Sequence, residues 1–86
     1  MFELDYSRDF IKAYKKMSKV HKNMIDNKLR ILAKDPDHPS LRSKKYQRLA
    51  AQGVRESSVN MSIRILWKYE NGKIILLMKV GQHDIL

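Results

Sequence analysis

Cysteine is absent from the 86 residues, so no disulfide framework and no thiolate metal centre is available, and a reducing compartment fits. Glycine occurs three times and proline twice, which excludes a glycine-rich phosphate loop and a low-complexity linker. The longest apolar run, Ile74 to Met78, is far too short to cross a membrane and suits a buried strand. The opening residues MFELDYSRDF hold no apolar stretch of the kind a secretory leader carries. A cytoplasmic protein without membrane attachment is therefore expected. Acidic residues are also scarce, with nine Asp and Glu against eighteen Lys and Arg, a formal net charge of +9.

That imbalance is the compositional outlier. A small basic chain is drawn to polyanions, chiefly nucleic acid, or to an acidic partner protein. Lysines along a helix are as readily explained by simple solvation. The stretch from His38 to Arg55 is more pointed, because Arg42, Lys44, Lys45, Arg48 and Arg55 follow one another with no acidic residue between them. The length suits one domain, residues 1–86, with a core just large enough to fold alone. Self-repulsion at this charge favours a monomer.

Phe2 to Asp5 alternates apolar and acidic side chains and predicts a short first strand. Ser7 reads as an N-cap, and Phe10, Tyr14 and Met17 then recur at helical spacing. A second helix is expected from about His21 to Lys34, with Met24, Ile25, Leu29, Ile31, Leu32 and Ala33 as its apolar positions. Pro36 and Pro39 end it. Lys44 to Leu49 is open between a strand and a helical turn, and Ala50 to Gly53 reads as a loop. Strands are expected over 54–59, 62–69 and 73–80, the last largely apolar on both faces and so central. Asn71-Gly72 between two β-rich runs predicts a two-residue hairpin with positive φ at both positions. The whole predicts an α+β fold: an N-terminal strand and a helical hairpin packed on a twisted, mostly antiparallel sheet.

Chemistry concentrates at Arg64, inside one strand, and His83, just beyond another. A guanidinium can hold a phosphate bidentately and stabilise charge that develops during phosphoryl transfer. A histidine can move a proton near neutral pH. If the strands pair across Asn60-Met61, Arg55, Ser57 and Arg64 are expected to line one concave surface. Each residue also has a plainer reading. Arg64 reads equally as a sheet residue paired with Glu56, His83 as a surface residue, His38 as a cap where the helix ends, and His21 as solvated. Trp67 shares its strand face with Ile63 and Ile65 and is expected in the core. The three histidines lack metal-ligand spacing, so no metal and no cofactor are expected.

The segments DPDHPSLRSKK and ESSVNMSIRILWKYENGKIILLMKVGQHDIL carry a family resemblance. An Arg64-Ile65-Leu66-Trp67 strand, a hairpin and a closing Gly81-Gln82-His83 make a combination more specific than any of its parts. The chain resembles the RelE/ParE superfamily of type II toxin–antitoxin toxins over nearly its whole length, and most resembles the RelE/YafQ-like branch that cuts messenger RNA. The resemblance implies a metal-independent endoribonuclease acting in the ribosomal A site, where the 2′-OH attacks the neighbouring phosphate. It assigns Arg64 to the phosphate and His83 to the near-C-terminal catalytic position. Arg55 matches a basic position on the preceding strand, and Ser57 falls where some members place a lysine. Lys44 and Lys45 match a region that lies near the substrate, and Arg42 and Arg48 flank it as further RNA contacts.

The resemblance also implies a partner: an acidic antitoxin, partly disordered when free, that covers the basic surface in a hetero-oligomer. The chain departs from the pattern in two ways. No aromatic residue follows His83, and no carboxylate is evident as a base, which leaves proton transfer to His83 or a lysine. The same fold hosts inhibitors of DNA gyrase, and a degenerate toxin that only binds its antitoxin would share these features.

Overall fold

Two serines punctuate the N-terminal half. The computed structural model describes residues 1–82 and 86 and begins with strand β1 (Glu3–Tyr6), helix α1 (Arg8–Lys15) and helix α2 (Lys19–Lys34). Ser7 caps α1, its hydroxyl oxygen accepting from the Phe10 amide at 3.0 Å. Ser18 caps α2 in the same way through the His21 amide at 3.1 Å. The second helix thus starts earlier than expected, because Ser18 satisfies an amide that would otherwise be left open. It stops at Lys34, with Asp35 already extended (φ −153°), as the residue before a proline prefers.

A short 3-10 turn, Pro39–Leu41, leads into strand β2 (Lys44–Lys45) and a second 3-10 segment, Gln47–Gln52. Lys44 to Leu49, ambiguous in sequence, is therefore split between the two states. The expected loop at 50–53 is mostly 3-10 turn closed by Gly53 at φ 78°. Strands β3 (Arg55–Ser58), β4 (Ile63–Tyr69) and β5 (Ile74–Gln82) follow. Among the described residues the sheet order is β1-β5-β4-β3-β2. The pair β1/β5 is parallel and the others antiparallel. The α+β architecture expected from the sequence is the one found, with β5 between β1 and β4.

The two hairpins are built by the same device, and it differs from the expected one. Positive φ among non-glycines occurs at Arg42 and among glycines at Gly53, so neither Asn71 nor Gly72 adopts it. Instead the Asn71 side-chain oxygen accepts from the amides of Lys73 (2.7 Å) and Ile74 (3.1 Å), while the Glu70 amide donates to the Ile74 carbonyl. Asn60 repeats the pattern with the amides of Ser62 (2.8 Å) and Ile63 (2.7 Å), and Val59 donates to the Ile63 carbonyl. The side-chain amide thus does the work of a backbone turn.

A bulge explains why β5 reads as apolar on both faces. Leu66 pairs with Lys79 but Trp67 pairs with Leu77, leaving Met78 as the extra residue. The phase of the strand shifts there, so Val80, Leu77 and Ile75 all point to one face. That face packs on the helices: Phe10, Ile25, Leu29 and Leu32 meet Ile63, Ile65, Trp67, Ile75, Leu77 and Val80. Ser7 ties the bulge to α1, its hydroxyl donating to the Met78 carbonyl at 2.6 Å. The opposite face of the sheet carries Glu56, Ser58, Arg64, Leu66, Lys68 and Lys79. No helix among the described residues is long and apolar enough to cross a membrane.

Candidate functional site

Strand register decides which candidates meet. Arg64 pairs with Ser58 on one side and Gly81 on the other. Arg55 pairs with Trp67 and Ser57 with Ile65. Cross-strand partners share a face, so Arg55 and Ser57 lie on the core side of the sheet and Arg64 on the other. The expected common surface of these three residues is not formed.

Ser57 is the clearest correction. It is buried, at 1% exposure, and so is not placed to touch RNA. Trp67 Nε1 donates to its hydroxyl at 2.8 Å, and the hydroxyls of Ser57 and Ser43 are 2.7 Å apart. Ser43 Oγ donates to the Pro36 carbonyl at 2.8 Å. A hydroxyl has one proton to give, so the chain runs Trp67 to Ser57 to Ser43 to Pro36. Arg55 is likewise occupied. Its guanidinium lies 5.5 Å from the centre of the Trp67 ring and 3.4 Å from an Asp37 oxygen. Its Nε is buried without a partner among the described residues.

Arg64 is held from two directions. Its Nη1 donates to the Asn60 carbonyl at 2.6 Å and to the Ile63 carbonyl at 3.3 Å. Its Nε lies 3.9 Å from Glu56 Oε1, and Lys44 Nζ lies 4.0 Å from the same oxygen. The expected Arg64–Glu56 pairing is thus present. Glu56 is a largely buried carboxylate with a cation on each side. No bond to Arg64 Nη2 is made among the described residues, which leaves that edge of the guanidinium able to donate to an anion.

Arg64 and Glu56 separate two openings. One, a cleft of about 290 Å³, is lined by Lys28, Ser40, Arg42, Ser58, Asn60, Met61 and Arg64. The other, of about 360 Å³, is lined by Lys44, Lys45, Tyr46, Arg48, Glu56 and Leu86. The basic run of the sequence is therefore distributed. Arg42 faces the first opening, Lys44, Lys45 and Arg48 the second, and Arg55 neither. Gly81 lies opposite Arg64, and His83, two residues further along, lies outside the described residues. His38 is a cap, its Nδ1 accepting from the Ser40 amide at 3.1 Å, and Trp67 is fully buried, both as the plainer readings had it.

Lys28, Lys79 and the carboxylate of Glu56 were not singled out from sequence as parts of a site. Lys28 comes from α2, more than thirty positions before Arg64 in the chain. Lys79 reaches the Arg64 face through the bulge. The acidic position in β3 was legible, yet its proximity to Lys44 needed the β2/β3 register.

The sequence matches no protein-family model and no curated protein. Solved structures match it well. The chain superposes on YafQ from Escherichia coli strain BL21(DE3) with a TM-score of 0.78 at 19% identity, over 98% of this chain and 96% of that one. The fold is that of the RelE/ParE toxins. YafQ in the E. coli DinJ–YafQ toxin–antitoxin complex gives a TM-score of 0.76 at 21% identity over 99% and 96%. The RelE–RelB complex from Pyrococcus horikoshii OT3 gives 0.76 at 14% identity over 99% and 98%. Identities this low carry the fold and leave the chemistry to the residues.

Proposed function

We propose that the chain is the toxin of a type II toxin–antitoxin module and that it cuts messenger RNA in the ribosomal A site without a metal. The observation that supports this most is Arg64: a guanidinium anchored by Asn60 and Glu56, with one edge open, between two cation-lined clefts. In this reading the 2′-oxygen attacks the adjacent phosphorus and gives up its proton, while the bond to the 5′-oxygen breaks and that oxygen is protonated. The products are a 2′,3′-cyclic phosphate and a 5′-hydroxyl. Arg64 stabilises the charge on the phosphorane. His83 serves as general acid or base. Glu56 holds Arg64 by Nε, and Lys44, Lys45, Arg48 and Arg42 bind phosphates of messenger and ribosomal RNA. Arg55 and Ser57 are left out of the RNA surface because their side chains are engaged at the core side.

An acidic antitoxin is the partner in this reading. It is supported by the +9 charge and by the toxin–antitoxin complex among the matching structures. The first test is expression without antitoxin, with mapping of new transcript 5′ ends. Arg64→Ala is expected to lower cleavage by about 10²–10³-fold, the cost of one lost transition-state donor, and His83→Ala to abolish the cleavage at a fixed codon phase. Growth arrest with intact transcripts would shift the assignment to gyrase. If both variants folded and cut like the parent, the site assignment would be wrong.

A further inference from the structure

The cleft beside Arg64 has a composition that the reaction alone does not require. Three cations from three separate elements line it: Lys28 from α2, Arg42 from the end of the first 3-10 turn, and Arg64 from β4. No acidic residue is among its lining residues. Arg42 makes no ion pair among the described residues. Lys28 Nζ donates to the Ser40 carbonyl at 3.2 Å, which holds it at the wall while leaving its other protons available. Ser40, Ser58 and Asn60 add polar groups to the lining.

Two further features point to the ligand. Arg42 is the one non-glycine residue with positive φ among the described residues (φ 48°), a backbone that L side chains adopt at a cost. A glycine would relieve that cost but would remove the guanidinium. At the lip of the same cleft stands Met61, 92% exposed. A bare thioether beside three cations suits a flat aromatic base, since sulfur packs favourably against aromatic rings. An acidic peptide would use the cations and leave Met61 without a role.

We infer that this cleft is a nucleotide subsite adjoining the phosphate that Arg64 holds, with a neighbouring RNA phosphate held by Lys28 and Arg42 and the attached base resting on Met61. The inference rests on the nuclease reading for its biological substrate, yet it concerns binding and is tested by binding. Lys28 and Arg42 act on a phosphate next to the one that reacts, and Met61 contributes no charge.

The experiment is an amide and methyl NMR titration of the full chain with inorganic phosphate, adenosine 5′-monophosphate and a hexaglutamate peptide. Phosphate is expected to move the amides of Ser40, Arg42 and Asn60 without moving the Met61 methyl. The nucleotide is expected to move both. Arg42→Gly, a change that the backbone tolerates, and Lys28→Ala are each expected to weaken both ligands about tenfold, as loss of one charged hydrogen-bond donor does. Met61→Ser should weaken the nucleotide and spare phosphate. Unchanged binding in the folded Arg42→Gly and Lys28→Ala variants would overturn the subsite. So would a Met61 methyl that the nucleotide leaves in place, or a cleft that hexaglutamate occupies and the nucleotide cannot displace. Loss of cleavage in Arg64→Ala together with unchanged nucleotide binding in the other variants would remove the subsite and leave the nuclease standing. Cleft binding without any transcript cleavage would do the reverse.

Discussion

Ser57 shows how a single side chain changes meaning once its neighbours are known. In sequence it is a small polar residue on a strand next to a basic run. In the fold its hydroxyl relays a proton donor from the buried Trp67 indole to Ser43 and on to the Pro36 carbonyl. Ser57→Ala would leave the indole N–H of a fully buried tryptophan without an acceptor. The expected cost is about 1–3 kcal/mol, the penalty for an unsatisfied buried donor, measurable as a lower urea midpoint with an unchanged slope. Cleavage per folded molecule should be retained, which distinguishes a structural serine from an RNA contact. Arg64 moved in the opposite direction. Its pairing with Glu56 was readable from two positions in adjacent strands, and the pairing is compatible with the proposed phosphate role. The pair holds one side of the guanidinium and leaves another open.

At the scale of elements, capping and turn chemistry explain where the secondary structure begins and ends. Ser7, Ser18, Asn60 and Asn71 each satisfy backbone amides that a helix end or hairpin would leave open. Ser7 and the prolines were legible as boundaries because capping is local. The Asn71-Gly72 hairpin was legible in place but not in type. An asparagine can either take positive φ itself or accept amides with its side chain, and both need the same residue. Helices α1 and α2 are joined by a further bond, Tyr14 Oη to Asp26 at 2.7 Å. That hydrogen bond, foremost, raises the Tyr14 pKa above its ordinary value of 10.0, with burial adding to it. The neutral phenol is the form the fold favours. Its contribution is complete below the unfolded-chain value and is lost as pH rises through the higher folded one. The stability advantage of the parent over Tyr14→Phe is therefore expected at neutral pH and should shrink above pH about 10. Urea unfolding at a series of pH values measures it, and a gap that widened with alkali would contradict the assignment.

For the molecule as a whole, charge is the governing quantity. Eighteen cations on 86 residues give a field that attracts polyanions before any specific contact forms. Eight of them line the two clefts or lie on the sheet face around Arg64. Association with RNA should therefore fall steeply with added salt, each neutralised phosphate adding about 0.7 to the slope of log affinity against log salt for a single strand. Filter binding from low to physiological salt measures this. Removing Arg42 and Arg48 together should reduce the slope by about one to two and leave the fold intact. A slope near zero in the parent would mean that binding does not use these cations.

What the sequence determined by itself was local or compositional: the basic balance, the helical hairpin, the central apolar strand and the core position of Trp67. Each follows from periodicity, capping or charge, which neighbouring residues along the chain carry. Tertiary structure decided what depends on register. One residue of phase at the Met78 bulge turns Leu77 inward and brings Lys79 to the Arg64 face. The pairing of β3 with β4 places Arg55 and Ser57 on the opposite side from Arg64. The packing of α2 against the sheet brings Lys28 into a cleft with two arginines from distant positions. A strand alternates its faces every residue, so a sequence states that two side chains share a face within one strand and leaves open which side chains they meet across the sheet.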